Sequence, residues 1–382
     1  MRIALLTYST KPRGGVVHTL ALAEALAHRG HDVTVWTLGR DGDNAFFRPV
    51  STSVTIRVVP FAPDPDESVG ERIMRSIETI REAFTDDYDI VHAQDCISAN
   101  AVPWCIRTIH HLDQFTTPQL AECHERAIVN PVARICVSAA VAAEVHSGWG
   151  YTPEVIPNGV DADRYMNAAG SSVASVNNRR RWEQNLGRYI LAVGGIEPRK
   201  GSIDLLRAFD DVRRIDPDVR LVFAGGETLF DYRDYRKEFD ALAESRQIPY
   251  TMLGVVPDQD MPSLIAAASA LAFVSQKEGF GLVAMEALAA GVPVVARNLP
   301  VLLEVLGGAA LFADNTESIA SGLLMALAGD APDPEHGIAL AAGYRWDAVA
   351  AQHETFYKDV LARLDSGLTV PEVTESHYSL PR

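Results

Sequence analysis

The sequence predicts an α/β chain made of two Rossmann-like domains, and three observations carry that prediction. Short apolar runs alternate with amphipathic helical patterns along most of the chain, which is the pattern of parallel sheets with crossover helices. The alternation stops over a polar stretch near residues 161–187 and then restarts. The chain has 382 residues, enough for two domains of ordinary size.

The first block opens with a strand at Arg2–Thr7, a glycine pair at Gly14-Gly15, a helix from about Val17 to Arg29 stopped by Gly30, and a strand at Asp32–Leu38. Next come a strand at Thr55–Pro60, a helix over roughly Ser68–Phe84 and a strand at Asp89–Ala93, with weaker strands near Cys105–Ile109 and Arg134–Ser138. The second block starts with a strand at Tyr189–Val193 and continues with strands at Arg220–Ala224, Tyr250–Leu253, Ala270–Val274 and Val292–Ala296. The expected organisation is therefore a first domain over 1–158, a linker over 159–187, a second domain over 188–345, a last helix over 346–364 packing back on the first domain, and a loosely ordered tail to Arg382. The linker reading, with room for a short helix, rests on Asn167 to Ser172 and on Arg179-Arg180-Arg181.

Composition narrows the function. The formal net charge is −16, which argues against broad nucleic-acid binding, because phosphate backbones need a basic field. A small anion needs only a local cluster of cations or amides. Cys96, Cys105, Cys123 and Cys136 form no Cys-x-x-Cys pair, and reduced thiols in a cytoplasmic protein are the expectation. No run of about 18 uncharged apolar residues predicts a membrane span; no basic amphipathic helix calls for membrane contact, and an amphipathic patch in the first domain leaves a peripheral role open.

In open parallel sheets, ligands bind beyond the carboxyl ends of the strands. At those ends the sequence places Gly14-Gly15, His110-His111, Glu197-Pro198-Arg199-Lys200-Gly201, Gly225-Gly226-Glu227 and Glu278-Gly279-Phe280-Gly281. Gly14-Gly15 serves either a tight strand-to-helix turn or a phosphate approached closely by backbone amides. Arg199 and Lys200 precede an expected helix near Ser202–Val212. Cations at a helix start are unfavourable unless an anion joins them; the alternative is a solvated surface pair. Glu286 is the one charged residue in an apolar helix from Leu282 to Ala290. A buried carboxylate needs partners, and ribose hydroxyls, a salt bridge or partial exposure would each serve. Amides of Gly281 and Leu282 at that helix start suit a phosphate, and Glu278 stands in the loop, open to sugar hydroxyls. His110 and His111 suit a reaction centre or simply a hydrogen-bonded loop, and His18 is a similar candidate. Asp41/Asp43, Asp64/Asp66 and Asp161/Asp163 are short acidic patterns of a kind that often arises by chance, so no metal is assigned.

Taken in order, these residues resemble the retaining glycosyltransferases of sequence family four, the glycosyl transferases group 1. The resemblance runs through Gly14-Gly15, Arg29 to Val35, Thr108-Ile109-His110, Val155 to Asp161, Glu197 to Gly201, and the glutamates Glu278 and Glu286 with seven residues between them. It implies the GT-B fold, two Rossmann-like domains facing each other across a cleft. It also implies a retaining, metal-independent hexosyltransferase that takes a sugar from a UDP- or GDP-linked donor and needs no cofactor. Arg199 and Lys200 would grip the diphosphate, Glu278 the sugar hydroxyls and Glu286 the ribose. Gly14 and Gly15 would lie against phosphate or acceptor, His110 near the anomeric carbon, and backbone around Val255 beside the base. No covalent nucleophile stands out, which favours front-face attack, and the linker would act as a hinge. The acceptor stays open among a small metabolite, a lipid and a glycan. His111 stands where the family often has aspartate, and Glu227 to Tyr232 lies in a variable region. A nucleotide-sugar epimerase of the same fold and a non-catalytic nucleotide-sugar binder are the alternatives. A dehydrogenase would need a Gly-x-Gly-x-x-Gly after a strand, which is missing.

Overall fold

The structure is a computed structural model that describes residues 1–40, 42–62, 64, 66–112, 115, 118–226 and 232–366. It divides into two compact units, Met1–Gly159 with the segment from Trp346 onward, and Val160–Arg345.

The first unit contains strands β1 (Arg2–Leu6), β2 (Asp32–Arg40), β3 (Val54–Phe61), β4 (Ile90–Ala93), β5 (Ile106–Ile109), β6 (Ala133–Cys136) and β7 (Glu154–Val155). Its helices are α1 (Gly14–His28), α2 (Val69–Ala83), α3 (Cys96–Ala101), α4 (Pro118–Val129) and α5 (Ala139–Trp149). The strands form one parallel sheet in the order β3-β2-β1-β4-β5-β6-β7. Helices cover both faces, so β1 is apolar without interruption from Ile3 to Leu6. Its side chains alternate between two cores: Ile3 and Leu5 join α1, while Ala4 and Leu6 join α2 and α3. Ser68 caps α2 in a reciprocal box with Glu71.

The second unit contains helices α6 (Ala162–Ala169), α7 (Val173–Leu186), α8 (Ser202–Ile215), α9 (Arg233–Ser245), α10 (Met261–Ala266), α11 (Leu282–Ala289), α12 (Pro300–Leu306), α13 (Thr316–Ala328) and α14 (Pro334–Ala342). Its strands are β8 (Arg188–Val193), β9 (Val219–Ala224), β10 (Thr251–Met252), β11 (Ala270–Phe273), β12 (Val294–Arg297) and β13 (Leu311–Ala313), ordered β10-β9-β8-β11-β12-β13 and all parallel.

The expected linker meets a different structure. Residues 162–186 form α6 and α7, which belong to the second unit and pack on its α10 and α11. The stretch reads as polar because each helix buries only a narrow stripe, Ala162 and Tyr165 in α6 and Leu186 in α7. The chain passes between the units at Gly159 and Val160. The last helix, α15 (Trp346–Asp365), belongs to the first unit, where Val349, Ala350, Tyr357 and Val360 join the α1 core. The expected loose tail after Ser366 lies outside the described residues.

Trp346 lies against Gly159, where an added Cβ would come within 2.3 Å of its Cδ2. Gly159→Ala is expected to cost about 1–3 kcal/mol by overpacking. Chemical denaturation measures it, and an unchanged midpoint would refute the close contact.

Candidate functional site

In both sheets the winding reverses direction beside the first strand of the unit, between β1 and β4 and between β8 and β11. Loops leaving adjacent strands there diverge and leave room for a ligand.

In the second unit the loop after β8 carries Gly194, Gly195 and a one-turn 3-10 helix, Pro198–Lys200. Gly201 ends that turn at φ 66, and a Cβ there would lie 2.4 Å from the Val274 carbonyl oxygen. Only glycine fits both the left-handed backbone and that approach. The Gln276 amide donates to the Arg199 carbonyl at 2.7 Å, tying the turn to the loop after β11. Lys200 Nζ stands 2.6 Å from Glu278 Oε1 and Arg199 Nη1 stands 3.3 Å from the same oxygen. Glu278 is therefore not an open loop carboxylate. Burial pushes its pKa up, but Lys200 and Arg199 outweigh that and hold it at about 2. Two cations share one carboxylate, so the cluster carries an unbalanced positive charge.

Glycines open the surroundings. A Cβ on Gly194 would touch Lys200 Cε at 3.3 Å, one on Gly225 would strike the Gly194 backbone at 2.3 Å, and one on Gly226 would lie 2.6 Å from Val255 Cγ2. Val255 itself is exposed. Gly281, at φ 97, precedes α11 and offers no side-chain cap, so the amides starting at Leu282 have no side-chain acceptor. Glu227 to Asp231, singled out from the sequence, lie outside the described residues.

Glu286, on α11, is half-buried and has a protein partner, the Tyr165 phenol of α6. Burial raises its pKa to about 7, against the Tyr165 hydrogen bond and the Arg164 charge. Arg164 is held 2.7 Å from Asp258. Tyr165 and Arg164 went unnoticed in the sequence, although Ala162, Tyr165 and Ala169 repeat at helical spacing.

In the first unit, Gly15 lies under the His110 ring, and a Cβ there would meet Cδ2 at 3.6 Å. Gly14 has open space where a side chain would be. His110 Nε2 donates to Gln94 Oε1 at 3.1 Å, and the Gln94 amide donates to His92 Nε2 at 3.3 Å. His92 is held on its two nitrogens by Tyr357 and Thr108, each at 2.7 Å. His18 packs edge-on to His110 at 4.9 Å and bonds Asn158 at 2.8 Å. Burial lowers the pKa of all four histidines, His18, His92, His110 and His353, with His353 at about 4, so each is neutral at pH 7. Among the described residues, His110 gathers with Gly15 and His18, and His111 is half-buried beside it. Gln94 and His92 were also missed. Gln94 directly continues the strand Ile90–Ala93, and the strand-end rule applied there points to it. A cavity of about 700 Å³ opens between β6, β7 and α15 at the amino ends of those strands, away from His110.

No group of three or more His, Cys, Asp or Glu side chains positioned for a metal occurs among the described residues. Asp41 lies outside them. No helix among them is long and apolar enough to cross a membrane.

Comparison with known proteins gives the class. Residues 177–336 match the model of glycosyl transferases group 1, and residues 12–164 match that of glycosyltransferase family 4. Together the matches span most of the chain. The glycogen synthase of Mycobacterium tuberculosis is 28% identical over 341 residues, covering 78% of each chain. The structure superposes on a sucrose-phosphate synthase from Thermosynechococcus elongatus with a TM-score of 0.76 at 21% identity, covering 94% of this chain and 99% of that one. It superposes on Anabaena HepE in complex with UDP-glucose with a TM-score of 0.65 at 20% identity, covering 96% and 100%. The chain belongs to family four of the glycosyltransferases and has the GT-B fold. It is an enzyme of glycosyl transfer from nucleotide sugars.

The buried histidines set an acid response. Unfolded histidines bind protons below about 6.5, whereas these four do not. The unfolded state therefore binds more protons, and stability falls as pH drops from about 6.5 toward His353's value of about 4. Melting temperature across that window should decline, and less steeply in His353→Gln; a flat profile would contradict the neutral cluster.

Proposed function

We propose that the second unit holds a UDP- or GDP-linked hexose and that the transfer proceeds with retention at the anomeric carbon, without a metal. The observation that carries this is the Arg199–Lys200–Glu278 cluster, with two cations on one carboxylate oxygen beside a glycine-lined strand edge. A diphosphate supplies the negative charge that the cluster lacks, and Lys200 and Arg199 stabilise it as the leaving group. The uncapped amides of Gly281 and Leu282 serve the phosphates. Glu278 accepts hydrogen bonds from the sugar, Glu286 from the ribose, and backbone at Val255 flanks the base. The UDP-glucose complex of Anabaena HepE supports a uridine donor.

Glu278 is tied to two cations, which makes it a poor covalent nucleophile and supports front-face attack. The first unit takes the acceptor. His110 is assigned to the transferred sugar, with its neutral ring fixed by Gln94, and Gly14 and Gly15 leave space for phosphate or acceptor. The retained anomer is read directly by NMR of the product; an inverted product would overturn front-face retention.

Lys200→Ala is expected to lower turnover about 100–1,000-fold while the melting temperature shows an intact fold. Near-normal turnover would remove Lys200 from the mechanism. Wild-type turnover should persist in a chelator, and its loss there would show a required metal.

Donor affinity should depend on Glu286. Ribose hydroxyls donate to the ionised carboxylate, and its pKa in the free enzyme is about 7. Affinity for the donor nucleotide should therefore rise from pH 6 to pH 8, and Glu286→Gln should abolish the rise. An unchanged slope in that variant would assign the titration elsewhere.

A further inference from the structure

Near the loop after β1 the first unit also holds two arginines, Arg13 and Arg40, that form no ion pair among the described residues. Asp and Glu outnumber Lys and Arg 50 to 34, and most arginines near this edge are paired: Arg72 and Arg75 with Glu67, as Lys11 is with Asp43. Arg40, at the end of β2, is only 8% exposed and has no ion pair among the described residues. One of its nitrogens donates to Ser76 Oγ at 2.8 Å, and its buried Nε has no partner. Its guanidinium lies 4.9 Å from the Phe61 ring centroid and 5.9 Å from that of Tyr8. Arg13, the residue before α1, also has a buried Nε without a partner and no ion pair among the described residues.

The nearby carboxylate places its hydrogen bonds elsewhere. Asp95 accepts from the Tyr8 amide at 2.9 Å, the Ser98 amide at 2.8 Å and the Ser98 hydroxyl at 3.0 Å, and forms no ion pair with either arginine among the described residues. Burial lowers the proton affinity of Arg40 most, Arg72 and Arg13 repel it further, and Tyr8 and Asp95 act in the opposite direction. A buried cation such as Arg40 is costly without a counter-charge. Arg13 leads into α1, whose first turn has no acidic residue and no side-chain cap, so the helix adds its own positive end. The place is continuous with the histidine site: the loop after β1 is pinned to Asp95, and the preceding Gln94 holds His110.

We propose that Tyr8, Arg13 and Arg40 bind a phosphate group carried by the acceptor. This rests on the reading of the first unit as the acceptor side. Two guanidinium groups, each with planar donors, a phenol and helix amides match a tetrahedral anion better than a neutral sugar. The phosphate reaches the site either as a soluble sugar phosphate or as a phospholipid headgroup.

The test uses the full-length protein with its donor site filled by excess UDP, and follows inorganic phosphate by calorimetry. Wild type should bind phosphate, and Arg13→Gln and Arg40→Gln should each weaken it about tenfold or more. Their UDP affinity should be unchanged. Arg13 is half-exposed, so Arg13→Gln decides the matter if Arg40→Gln does not fold. Competition by glucose 6-phosphate would give the soluble source. Arg13-dependent sedimentation with phosphatidylcholine vesicles containing phosphatidylinositol would give the lipid source. Absence of phosphate binding, or equal binding in wild type and Arg13→Gln, overturns the site. Loss of UDP binding by wild type would instead overturn the donor reading.

Discussion

The arrangement depends on the reversal of winding in each parallel sheet. β8 and β11 are far apart along the chain, with all of α8, β9, α9, β10 and α10 between them, yet they are hydrogen-bonded neighbours. The loops leaving them therefore begin side by side, and that adjacency places Lys200 and Arg199 on Glu278. β1 and β4 stand in the same relation in the first unit. Their loops carry Tyr8 and Asp95, which bond directly, with Gly15 and Gln94 close by on either side of His110. Each site is thus a consequence of strand order before it is a consequence of particular side chains.

The two units handle buried ionisable groups in opposite ways. In the second, Glu278 is kept ionised by a surplus of cations, and Glu286, with a phenol as its partner, sits near neutrality. In the first, the histidines around His110 lose their charge to burial and become a chain of neutral donors and acceptors. Under the proposed assignment this suits different tasks. A departing diphosphate needs fixed positive charge, whereas orienting a sugar hydroxyl needs only hydrogen bonds of definite direction. Glycine has a comparable part in the second unit: Gly201 and Gly225 permit backbone contacts that a Cβ would forbid.

Much of this was legible in the sequence. Continuous apolar strands and helical periodicity gave the two parallel-sheet blocks, because a strand buried on both faces must be apolar throughout. The strand-end rule led to Gly14, Gly15, His110, Arg199, Lys200, Glu278 and Gly281. Pattern reading failed where a polar stretch hid narrow-faced helices, so that α6 and α7 looked like a linker and Tyr165 was passed over. Gln94 directly follows β4, and an uncharged glutamine there carries no local signal of its partners.

By itself the sequence determined most of the strands, the helices with a broad apolar face and which glycines, cations and acids stand at strand ends, because periodicity and local backbone preference act over a few residues. Tertiary structure alone decided the partners. Lys200 meets Glu278, Tyr165 meets Glu286, Tyr357 of the last helix meets His92, and among the described residues the Nε atoms of Arg13 and Arg40 are left without a partner. Those outcomes depend on strand order and on which helix returns to which sheet, and such contacts join residues that local pattern cannot relate.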